Sequence, residues 1–166
     1  MDGVACRSGL LPNDVMMEAI RPQPLEPPMR FLIFRKADPD TEAGTMPTQA
    51  LIDAMGAYMG EMAAAGVLLG GEGLKPSTTG VRVKFRRGKP TFTDGPFTET
   101  KELVAGYTLI DVPSKEAALD WLRRWPVLDG DGEVELELRQ VYEMADFGMD
   151  DSPALSVIEQ RPRETR

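Results

Sequence analysis

A chain of 166 residues, 42% of them hydrophobic, has the length of one domain and enough apolar material for one core. Its formal charge of −8 argues against a nucleic-acid or anionic-membrane surface, since both are held chiefly through Lys and Arg. With no histidine and one cysteine, Cys6, the chain has no internal disulfide, no serine–histidine or cysteine–histidine nucleophile and no histidine-ligated metal. Proton transfer near neutrality would fall to a carboxylate or lysine of shifted pKa. No apolar run approaches the roughly 20 residues of a membrane span, and the N-terminus lacks the basic-then-apolar layout of a secretion signal, so the expected compartment is the cytoplasm.

Residues 1–28 read as a leader without periodic structure, closed by Pro22, Pro24, Pro27 and Pro28, which remove amide donors and forbid a helix. Met29, just before the first apolar run, is the expected true start. Phe31-Leu32-Ile33-Phe34 has the character of a central strand, and 35–46 that of a polar loop. Pro47 then opens a helix with Leu51, Met55, Tyr58, Met59 and Met62 on one face and Gly66 as its stop. Val67-Leu68-Leu69 predicts a second strand running into Gly70-Gly71-Glu72-Gly73. Val81, Val83 and Phe85 alternate with Arg82, Lys84 and Arg86, turn at Arg87-Gly88 and return through 90–93, which is the pattern of a hairpin. Residues 107–112 predict another strand. Ser114 caps a helix carrying Ala118, Trp121, Leu122 and Trp125 and stopped by Pro126. A last strand alternates over 133–141, and residues 144–166 form a polar, acidic tail.

The order β-α-β, hairpin, β-α-β is a ferredoxin-like split βαβ: an α+β fold with one antiparallel sheet and two helices on one face. Two helices cover only one side of the sheet. Apolar side chains on the other side would need a partner, and a second copy, giving a homodimer, is the simplest one.

Residues 94–102 read Asp-Gly-Pro-Phe-Thr-Glu-Thr-Lys-Glu. This run resembles the signature of the DGPF proteins within the YciI-related (YCII) family. Residues 66–74, then Gly106-Tyr107 and the 114–126 helix, fit the same resemblance across about 29–143. It implies a dimeric α+β barrel. Some relatives are thought to use a histidine near the start of the first helix, with an aspartate. Gln49 stands at that place here and cannot titrate, so that chemistry does not transfer. The resemblance also implies a gene neighbourhood shared with sigma factors of the extracytoplasmic-function class.

Two carboxylates are the candidates for catalysis. Asp94, at a strand end, could anchor a ligand or accept a proton, with Gly95 letting backbone approach; Asp-Gly-Pro is equally ordinary turn chemistry. Glu72, by simple alternation, projects with Leu68, Gly70 and Leu74 and could sit desolvated in a cleft; the plainer alternative is an ion pair with Lys75 or Lys101. Lys101 could turn inward as an anion-binding cation, and Tyr107 could complete the site. Arg82, Lys84, Arg86, Arg87 and Lys89 read as an exposed hairpin edge guarded by charge. The glycines at 70–73 lack the spacing of a phosphate-binding loop and no cluster has metal-ligand spacing, so no cofactor is expected.

Two functions follow. One is a small-molecule site between sheet and partner subunit, with an isomerase- or lyase-type proton shift by Glu72 or Asp94. The other is a non-catalytic regulatory protein that acts with a sigma factor.

Overall fold

The computed structural model describes residues 29–98 and 102–148. The expected leader, Lys101 and the tail beyond Gly148 lie outside them. Among the described residues, six strands and three α-helices form in the order β1 (Met29–Lys36), α1 (Pro39–Glu42), α2 (Gln49–Ala64), β2 (Leu68–Gly73), β3 (Val81–Arg86), β4 (Lys89–Asp94), β5 (Val104–Val112), α3 (Lys115–Leu122) and β6 (Leu136–Gln140). Four strands make one sheet in the order β2-β5-β1-β6, with every neighbour antiparallel. This is the order two interleaved βαβ units produce, and the fold is α+β and ferredoxin-like. Strands β3 and β4 form a separate two-stranded ribbon inserted between β2 and β5.

The alternation of β1 decides which face is buried. Phe31 and Ile33 point under the helices with Ile110 and Val112 of β5, and there they meet Tyr58 and Met62 of α2 and Ala118 of α3. Leu136 and Leu138 of β6 pack on the same cluster. Leu32, Phe34 and Leu109 share the opposite face through the β1–β5 pairing, and no helix of the described residues covers it.

Helix ends follow their side-chain chemistry. Thr48, one residue after Pro47, is the N-cap of α2 and accepts from the Leu51 amide; Gly66, at φ +72°, ends it. Ser114 caps α3 by accepting from the Ala117 amide. The stretch expected as loop contains α1, nucleated by a capping box in which Asp38 and Thr41 exchange side chain-to-backbone bonds. Helix α3 stops at Leu122, before Trp125, and β6 begins at Leu136 because residues 129–132 form a tight turn with Gly130 and Asp131 at positive φ.

Strand β2 corrects one expectation. Its register shifts between Leu68 and Gly70, so Leu68 pairs with Ile110 of the covered face while Glu72 pairs with Tyr107. Simple alternation put Leu68 and Glu72 on one side; the bulge puts them on opposite sides.

Candidate functional site

The first half of α2 stands off the sheet and leaves an open cavity of about 370 Å³ beneath it. That volume falls in the range of small-molecule pockets. Its roof is Leu51, Ile52, Met55 and Met59 of α2, with Pro47 before them; its floor is Ile33 of β1, Gly71 of β2 and Gly106 and Thr108 of β5. The floor is open because glycine sits there. A Cβ on Gly71 would come within 2.9 Å of the Tyr107 carbonyl oxygen and 3.0 Å of the Met59 methyl. Two thioethers in the roof give it adaptable walls.

One end of this apolar space is polar. Arg35 continues the inward series Phe31, Ile33, so alternation sends a guanidinium under the helices, where it needs acceptors. It donates from Nη2 to Asp129 Oδ1 at 2.7 Å, from Nε to Asp129 Oδ2 at 3.3 Å and from Nη1 to the Lys36 carbonyl at 2.9 Å, and Nη2 also meets Asp38 Oδ2 at 2.6 Å. Asp129 is 6% exposed and takes a further bond from the Trp125 indole Nε1 at 2.9 Å. Burial works against the charged guanidinium, yet the bonds and charges of Asp129 and Asp38 outweigh it and hold Arg35 above its ordinary pKa. The Asp38 carboxyl is likewise raised by burial but lowered more by the Thr41 amide and Arg35, and ends below its usual value.

Trp125 is set in place from above. Tyr58 meets it edge-on at 5.5 Å between ring centroids and meets Trp121 at 6.1 Å, while its hydroxyl donates to the Trp121 carbonyl at 3.0 Å. Burial pushes the Tyr58 pKa up to about 12, with Arg124 opposing and Glu61 adding to the rise.

The expected site residues divide between two places. Glu72 and Tyr107 line the cavity. Both are exposed, and their pairing assigns them to the face that the helices leave open. Asp94 and Gly95 lie outside the cavity, at the base of the hairpin. There the signature holds chain to chain. Ser77 accepts from the Phe97 amide at 3.2 Å and donates to Glu42 of α1, whose carboxylate also receives the Ser77 amide. A side chain on Gly95 would overlap the Ser77 carbonyl oxygen, and Arg82 lies 4.1 Å over the Phe97 ring. Gln49 is exposed and donates to Asp53 at 2.8 Å.

Sequence reasoning missed Arg35, Asp129 and the part Trp125 plays. The signal was an arginine in phase with two buried positions of a strand. Such a residue demands a buried carboxylate, and Asp129, four residues after a tryptophan and next to Gly130, supplies it.

Among the described residues, no helix is long and apolar enough to cross a membrane, and no group of three or more His, Cys, Asp or Glu is placed to hold a metal. The chain is similar to a Rhizobium meliloti (strain 1021) protein described as uncharacterized, at 42% identity over 50 residues. That match covers 30% of this chain and 40% of the other. At the family level, residues 29–145 match the YCII-related domain, a span that takes in the whole sheet, the helices on it and the cavity between them. The four-stranded order, the inserted ribbon and the signature at its base all fall within that match, and the chain belongs to the YCII-related domain family.

Proposed function

We propose that the protein is a homodimeric small-molecule-binding protein that takes a compact, largely apolar ligand into the cavity under α2. The cavity supports this reading more than any single residue does: apolar walls of adaptable side chains end at a buried polar cluster that can fix orientation. Arg35 is already bound to two carboxylates, so Arg35, Asp38 and Asp129 together carry one net negative charge. That balance suits a ligand whose polar end donates hydrogen bonds, such as a phenol or an amine, better than an anion. Glu72, exposed and paired on the open face, and Asp129, whose oxygens Arg35 and Trp125 already occupy, are poorly placed for a proton shift, so binding rather than isomerase- or lyase-type chemistry is the reading the cavity supports. The open sheet face, with Leu32, Phe34, Leu109 and Tyr107, supports pairing with a second copy.

The test is a thermal-shift screen of phenols, amines, lactones and small carboxylates against wild type, Met55→Trp and Glu72→Gln. A ligand at 100 times its dissociation constant adds roughly 2.7 kcal/mol, a readily visible rise in midpoint. Stabilisation by phenols or amines, lost when Met55→Trp fills the cavity, is the expected result. Hits that survive Met55→Trp would remove the cavity from the function. A flat screen on folded protein would turn attention to a protein partner such as a sigma factor.

A further inference from the structure

The β3–β4 ribbon exposes every one of its strand residues. Cross-strand pairing sorts them into two faces. Val83 stands opposite Phe92 and Phe85 opposite Pro90, while Arg82 stands opposite Thr93, Lys84 opposite Thr91 and Arg86 opposite Lys89. One face is therefore apolar from Val83 to Phe85, with Val81 opposite Asp94 at its base, and the other is cationic. Phe85 and Phe92 are each 67% exposed, Val81 54% and Val83 44%. An isolated two-stranded hairpin is marginal in water, and one that also leaves two phenylalanines wet needs a surface to lie on.

Charge indicates which surface. Residues 81–94 hold five cations, Arg82, Lys84, Arg86, Arg87 and Lys89, against Asp94, a net +4. The rest of the chain then holds 14 cations and 26 acids, a net −12. A cationic arm on an otherwise acidic chain is complementary to another copy of that chain. Twofold symmetry would make the contact twice, once for each arm.

We propose that the β3–β4 hairpin is a dimerisation arm, laying its Val83–Phe85–Phe92 face on a second copy, with the arm's net positive charge drawn to that copy's acidic chain. The inference rests on the pairing of two copies proposed above and goes further by naming the element that clamps them. It is independent of what the cavity binds.

The test is sedimentation equilibrium of the full chain in low and high salt, beside Phe85→Ser/Phe92→Ser and Lys84→Glu/Arg86→Glu. A wild-type dimer that weakens with salt is expected, with both variants folded and at least about tenfold weaker in self-association. A wild-type chain that is monomeric at high micromolar concentration would overturn both the arm and the pairing. A dimer of unchanged affinity in either variant would overturn the arm alone. Loss of native circular dichroism in the phenylalanine variant would also overturn it, because those side chains would then serve the chain's own fold.

Discussion

Replacing Asp129 by alanine tests whether the polar end of the cavity is held as described. The carboxylate is 6% exposed and receives three hydrogen bonds, two from Arg35 and one from the Trp125 indole. Removing one partner of a buried ion pair costs roughly 3–5 kcal/mol, most of it for the charge left behind. Arg35 keeps Asp38 at 2.6 Å, so the lower end applies, about 3 kcal/mol. For a chain of this size that corresponds to a fall of about 10 °C in the thermal midpoint. The double variant Arg35→Met/Asp129→Leu removes both charges and refills the volume with apolar atoms. It should recover most of the loss, leaving about 1 kcal/mol for the indole N–H without its acceptor. Urea titration of wild type, Arg35→Met, Asp129→Leu and the double variant closes the cycle and gives the coupling directly. A single variant within about 1 kcal/mol of wild type, or a double variant less stable than either single one, would refute the account of this cluster.

Other outcomes follow from the same geometry. Gly95→Ala forces a methyl group into the Ser77 carbonyl and should cost about 2 kcal/mol or more, read as a lowered urea midpoint; a neutral result would mean that the hairpin base is looser than described. Tyr58 is neutral and buried, with its pKa raised from 10.0 to about 12, so its contribution is complete below pH 10 and is lost as pH rises through 12. About 3 kcal/mol should disappear across that window in wild type and not in Tyr58→Phe, as alkaline denaturation would show. Asp38 has a depressed carboxyl, so its contribution is complete above its ordinary 3.8 and fades as pH falls toward its lower folded value. The stability gap between wild type and Asp38→Asn should therefore close in acid, and a gap that persists would mean that charge is not its source.

The elements were legible in the sequence wherever one periodic pattern acted alone. The stripe of α2, the Ser114 cap, the Arg87-Gly88 turn and the apolar run of β1 each appear in the fold, because capping, turn chemistry and periodicity are local. The site was less legible because it depends on departures from the pattern. The bulge in β2 reverses which side Leu68 takes relative to Glu72, and nothing between Val67 and Gly70 announces it. The depth of the cavity depends on Gly71 lying under Met59, a contact between elements. Asp129 reads as one more acid in a turn until Arg35 is placed opposite it, 94 residues away in the chain. The Asp-Gly-Pro-Phe run drew attention by its length; in the fold, Gly95 and Phe97 fasten the hairpin base to Ser77.

The four-residue helix α1 changes how mutations in that run should be interpreted. Its first cap, Asp38, grips Arg35 at the cavity, and its last residue, Glu42, grips Ser77, which in turn holds Phe97. Signature and cavity are thus opposite ends of one short linkage, although none of the described signature residues lines the cavity. A substitution at Gly95 or Phe97 can slacken α1 and disturb Arg35 from a distance. Lost ligand affinity in such a variant would not locate the ligand at the signature. The altered ion-pair coupling at Arg35 and Asp129 would identify the effect as transmitted, and a scan of this chain must measure both before assigning any residue to the binding site.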